Sequence, residues 1–132
     1  MNFVSVRFIT GDIKRLVAFY GRVTGLTPTW YTEDFAEVST PTSTLAIGHT
    51  RTMQLFGTAT PTSTGGGSAI IEFLVPDVDA TYEALKAFVT DLIQAPTTMP
   101  WGNRSLLFRD PDGNLVNFFT PVTPQAIAKF ER

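Results

Sequence analysis

The chain repeats itself once. Residues 4–20, "VSVRFITGDIKRLVAFY", lie over residues 69–85, "AIIEFLVPDVDATYEAL", so that Phe8 falls on Phe73, Asp12 on Asp77 and Ile13 on Val78. In each copy a β-rich run ends at an aspartate and a helical pattern follows. Aspartate suits a helix N-cap, because its side chain accepts from the first unpaired N–H groups. After Asp12, Ile13, Leu16, Val17 and Tyr20 recur at helical spacing; after Asp77, Val78, Tyr82, Leu85 and Phe88 or Val89 do the same. Gly25 supplies a stop for the first helix. Three β-like segments follow each helix, at about 35–40, 44–49 and 51–56 in the first half and about 92–97, 104–109 and 115–120 in the second. The chain therefore reads as two βαβββ modules, an α+β fold.

A length of 132 residues suits a single domain. Module one spans 1–57, module two 69–121, and a C-terminal helix is expected over 124–131. The linker, 58–68 within "GTATPTSTGGGS", is Thr, Ser, Pro and Gly with little that can pack. One helix per module covers one face of a four-stranded sheet and leaves the other face for a partner or ligand.

Formal charge is −2 and the basic residues are dispersed, which argues against nucleic-acid binding. There is no cysteine, so disulfides and thiolate metal sites are excluded. No apolar run reaches the roughly 20 residues of a membrane span and no signal-peptide layout opens the chain, so a soluble cytoplasmic protein with no membrane partner is expected.

Strand alternation then assigns faces. Val4, Val6 and Phe8 should pack under the first helix, as should Ile71, Phe73 and Val75 under the second. Ser5, Arg7 and Ile9 point the other way, as do Ile70, Glu72 and Leu74. The repeat places Arg7 and Glu72 at equivalent positions, and an ion pair between them is expected. In "RSLLFRDPDGNLVNFFTP", residues 104–121, Asp110-Pro111-Asp112-Gly113 fits a type I turn between two strands. Asn117 sits inside the second strand's apolar run, where a carboxamide is out of place.

The segments "RFITGDIKRLVAFYGRVTGL", "EFLVPDVDATYEALKA" and "MPWGNRSLLFRDPDGNLVNFF", in that order, resemble the vicinal oxygen chelate superfamily of glyoxalase I, extradiol dioxygenases and bleomycin resistance proteins. The resemblance covers nearly the whole chain. It implies paired βαβββ modules whose curved mixed sheets enclose a cavity, helices outside, commonly in a homodimer. Catalytic members hold a divalent metal there with His and Glu from the first and fourth strands of each module. Carried over, those positions fall on Ser5, Gln54, Ile70 and Asn117. None is an anionic or imidazole ligand, so no metal and no other cofactor is expected. His49, the sole histidine, lies outside these positions and reads as a surface residue.

Trp30 and Tyr31, with Phe35 just beyond, fall between the first helix and the second strand, and Trp101 precedes the late hairpin. Loops there flank the cavity mouth in this superfamily, where rings stack on planar ligands. Arg104 offers a fork to an acidic ligand or braces the turn at Asp110 or Asp112. The expected ligand-binding set is Ser5, Arg7, Trp30, Tyr31, Phe35, Gln54, Ile70, Glu72, Trp101, Arg104, Asn117 and Phe119. The function expected is metal-free sequestration of a small molecule, a drug or other planar compound, in a dimer cavity. The competing reading is a glyoxalase- or lyase-like enzyme using Glu72 or a relocated metal.

Overall fold

The structure, a computed structural model, describes residues 1–56 and 68–131; the expected linker lies outside these apart from Ser68. The chain divides into two compact units, Met1–Gly65 and Gly66–Arg132. Each carries a four-stranded mixed sheet with a helix on one face, an α+β architecture.

In the first unit, strand β1 (Ser5–Thr10) leads into helix α1 (Ile13–Thr24), then β2 (Thr29–Thr32), β3 (Phe35–Ser39) and β4 (Thr44–His49). The sheet order is β1-β4-β3-β2, with β1 and β4 parallel and the other pairs antiparallel. Asp12 caps α1 through Arg15 N, and Gly25 ends it at φ +69°, where a side chain would be strained. Leu16, Val17, Tyr20 and Val23 are buried on α1, matched by Ala36, Val38, Leu45 and Ile47 of the sheet. Phe8 meets Tyr20 at 6.2 Å between ring centroids, which fixes the helix-covered face.

Two expectations for this unit fail. Trp30 and Tyr31 lie in a strand, not a loop, whereas Phe35 opens the next strand where one was expected. Residues Thr50–Phe56 form a 3-10 helix, not a fourth strand. The chain is turned back at His49, whose Nδ1 accepts from Arg51 N at 3.0 Å while its carbonyl accepts from Thr52 Oγ1 at 2.7 Å. The lone histidine thus organises a helix start.

The second unit runs β5 (Ile70–Leu74), α2 (Val78–Leu85), β6 (Leu92–Thr98), β7 (Asn103–Arg109), β8 (Leu115–Pro121) and α3 (Pro124–Phe130). Its order, β5-β8-β7-β6, repeats that of the first. Asp77 caps α2 through Ala80 N. The helix stops at Leu85, short of Phe88 and Val89, and a small apolar cavity remains beneath it, lined by Tyr82, Leu85, Val89, Leu92, Leu106 and Phe108 among others. Phe118 stands edge-on to Phe73 at 5.3 Å and to Phe108 at 5.2 Å, forming the centre of this core.

The late turn forms as its sequence dictates. Asp110 Oδ1 accepts from the N–H groups of Asp112 and Asn114, Gly113 N bonds Asp110 O, and Gly113 takes φ +87°. Helix α3 docks on the face that α2 leaves bare, since Phe119 and Phe130 stack there at 5.2 Å. No helix among the described residues is long and apolar enough to cross a membrane.

Candidate functional site

Register decides which side chains share the face of each sheet opposite α1 or α2. In the first unit, one cross-strand row is Arg7, Ala46, Glu37 and Thr29, and the next is Ile9, Gly48, Phe35 and Thr32. The Arg7 guanidinium lies over the Phe35 ring, 4.9 Å from its centroid, a cation–π contact. Tyr31 sits at an irregularity in the β2–β3 pairing and packs on Phe35 at 6.0 Å. The neighbouring Glu37 carboxylate, through hydrogen bonding to the phenol and its charge, holds Tyr31 above its ordinary range. Ser5 starts the same face of β1. Trp30 does not join it: paired with buried Ala36, it belongs to the helix-covered side.

In the second unit, Glu72 pairs with Asn117, Asn117 with Leu107, and Leu107 with Gln94, one row across all four strands. Asn117 Nδ2 donates to Glu72 Oε2 at 2.8 Å. An ionised carboxylate only accepts, so this bond fixes the amide orientation and carries Asn117 Oδ1 away from β5. Asn117 is 8% exposed, and its Oδ1 has no hydrogen-bond partner among the described residues. Gln94 Oε1 in the same row and Ser105 Oγ in the next are likewise buried without partners. A buried oxygen left unpaired costs on the order of 1–3 kcal/mol. None of these three lies on the helix-covered side, where alternation puts Leu106, Phe108, Val116 and Phe118.

Ile70 begins this face and is 48% exposed; Phe119, on the same face, is buried under Phe130. Trp101 is 65% exposed in the turn between β6 and β7. Arg104 is elsewhere. It shares the side of Leu106 and Phe108, and its Nε and Nη2 grip Asp79 of α2 at 2.9 and 3.0 Å. That bond holds the Asp79 carboxyl below its usual range. The turn is braced instead by Arg109, whose Nη1 donates to Gly113 O at 3.0 Å.

The donor set does not fit a divalent ion. Gln54 lies on the 3-10 helix, so it is not the fourth-strand residue of the first unit. The register that sets Glu72 beside Asn117 sets Arg7 beside Ala46, which makes Ala46 the counterpart of Asn117. A hydroxyl, two hydrocarbons and one carboxamide then occupy Ser5, Ala46, Ile70 and Asn117. Hard ions want carboxylates and zinc or nickel wants imidazole or carboxylate, so this set offers no anionic donor. Among the described residues, no three His, Cys, Asp or Glu side chains converge on a common point.

The family model for the Glyoxalase/Bleomycin resistance protein/Dioxygenase superfamily matches residues 2–118, and the chain belongs to that superfamily. It is 26% identical over 125 residues to the uncharacterized protein YraH of Bacillus subtilis, covering 90% of this chain and 98% of that protein. Among solved structures, a glyoxalase/bleomycin resistance protein/dioxygenase family enzyme from Burkholderia phytofirmans superposes with a TM-score of 0.81 at 22% identity, covering 92% of this chain and all (100%) of that one. A lactoylglutathione lyase from Agrobacterium tumefaciens gives a TM-score of 0.71 at 19% identity over 89% and 92% of the two chains. At these identities the solved structures establish a shared fold.

Proposed function

We propose that this protein binds a small organic molecule without a metal ion, on the face of the β5–β8 sheet opposite α2, and acts as a homodimer that sequesters its ligand. The observation that carries the reading is Asn117. At the family's metal-ligand position stands a neutral amide whose nitrogen is committed to Glu72 and whose buried oxygen awaits a donor. Half-exposed Ile70, on the same face of β5 as Glu72, supplies apolar surface on which a planar ligand such as a drug can rest, and exposed Trp101 offers a second ring at the far end of the sheet.

Catalysis is the second reading, supported by the Glu72 carboxylate itself, an acid–base group on the ligand-bearing side. Thermal unfolding against a panel of small molecules, with EDTA present throughout, tests the proposal. A ligand that binds only the folded chain raises Tm by mass action. The expected result is a concentration-dependent rise that Asn117→Leu abolishes. A rise that appears only with added divalent ion contradicts the reading. Turnover of a ligand that Glu72→Gln eliminates would establish the enzyme instead. Light scattering at micromolar concentration should give a dimer mass, and a monomer would remove the homodimer from the proposal.

A further inference from the structure

The buried side-chain polar atoms of the second sheet that lack a partner among the described residues belong to Gln94, Asn103, Ser105 and Asn117; all are oxygens, and three of them are amide oxygens that can only accept. We infer that the Glu72–Asn117–Gln94 row binds a small organic cation carrying two or more N–H donors, an amidinium or a primary ammonium. This rests on the binding role proposed above and names the ligand class.

Three observations carry it. First, Asn117 Oδ1 and Gln94 Oε1 are amide oxygens, which accept and never donate, and neither has a partner among the described residues. Second, Glu72 supplies a negative charge in the same row, on the strand next to Asn117. Among the described residues its side chain accepts from Asn117 Nδ2 at Oε2, which leaves the other carboxylate oxygen available. Third, no cation of this sheet answers that charge. Arg109 reaches back to the turn at Gly113, and Arg104 is on the opposite face, gripping Asp79.

Adjacent strands lie about 4.8 Å apart, so Glu72 and Asn117 on neighbouring strands fall within reach of one amidinium or ammonium group, while Gln94, two strands beyond Asn117, lies under the rest of the ligand. An anion would meet Glu72 and two amide oxygens, all repulsive. A neutral aromatic would leave both amide oxygens unpaired. A cation with several N–H groups pairs with the Glu72 carboxylate and donates to Asn117 Oδ1 at once, and charge-assisted bonds are the stronger kind. Glu72 is exposed, so the row can be entered from the β5 side.

The test follows the side-chain amide signals of Asn117 and Gln94 by NMR while benzamidine, benzamide and benzoate are titrated into the intact chain. The three share a ring and differ in charge and donor number. Benzamidinium should move both side-chain signals, benzamide should bind more weakly, and benzoate should leave them still. Glu72→Gln should weaken benzamidinium by roughly ten- to a hundredfold. Benzoate or benzamide binding as tightly as benzamidinium would overturn the inference, as would unchanged affinity in Glu72→Gln. The wild-type comparison decides the matter even if that variant fails to fold. Neutral or anionic compounds moving the Asn117 signals while benzamidinium does not would refute the cation and leave the binding role standing. Signals unmoved by every compound of a broad panel would refute both.

Discussion

Phe118→Ala is expected to lower the unfolding free energy of the second unit by about 3–5 kcal/mol. The ring is 1% exposed on the central strand β8 and stands edge-on to Phe73 and Phe108. Truncation removes the buried apolar area of one aromatic side chain. It also removes two edge-to-face contacts worth about 0.5–1.5 kcal/mol each beyond area. The neighbours are strand residues held by ladder hydrogen bonds, so they cannot close the gap. Domains are stable by only about 5–15 kcal/mol, so this one change removes a large share. Urea unfolding read by Trp101 emission in a Trp30→Phe background checks it, since that leaves one tryptophan, in the second unit. The midpoint should fall sharply with little change in slope. A loss below about 1 kcal/mol would mean that the three rings do not form the centre of this core.

Gly102→Ala should cost about 2–5 kcal/mol and release helix α3. Gly102 takes φ +97°, a backbone region that side chains rarely adopt. A methyl group there would run into the Thr123 hydroxyl oxygen and come within 3.0 Å of the Ala126 Cβ. Thr123 is the N-cap of α3, accepting from Ala126 N, and the N–H groups of Val122 and Thr123 both bond Gly102 O. Strain and clash therefore act on the junction that starts the helix. Hydrogen exchange over 124–130 should accelerate in the variant, and Phe119 should lose the cover of Phe130. A variant within about 0.5 kcal/mol of wild type, with exchange unchanged, would contradict this account of the junction.

Much of this is legible in the sequence itself. The second module's strands fall within a residue or so of their expected bounds, because alternation and the Asp-Pro-Asp-Gly turn both fix them. The helix caps at Asp12 and Asp77 were likewise written in the repeat. The first module slipped by one strand. "TWYT" is short and exposed throughout, so it shows no alternation, though its aromatic and β-branched content is a strand signal. "RTMQLF" offered apolar residues in a convincing position, but Met, Gln and Leu favour helix, and the His49 and Thr52 bonds that turn the chain are local side-chain chemistry. That slip misplaced Gln54 and hid Ala46.

Arg104 was misread for a simpler reason. It alternates with Leu106 and Phe108, so it had to share their side. Asn117 was conspicuous from the sequence alone. Its bond to Glu72 was not, because it depends on the parallel register of strands 45 residues apart. The unpaired oxygens of Gln94 and Ser105 were equally hidden. A polar residue in a strand announces a face, whereas its lack of a partner emerges only from packing.

The account turns on the claim that the Asn117 face takes an organic ligand and not a metal ion. The most direct measurement is the side-chain amide signal of Asn117 in protein stripped with EDTA, followed while Mn²⁺ is added to a single equivalent. A bound paramagnetic ion erases the signals of its ligands and their neighbours first. The account predicts that the Asn117 pair keeps its intensity alongside Ser5 and Ile70, fading no faster than exposed residues elsewhere. Selective loss of those signals at one equivalent would contradict it.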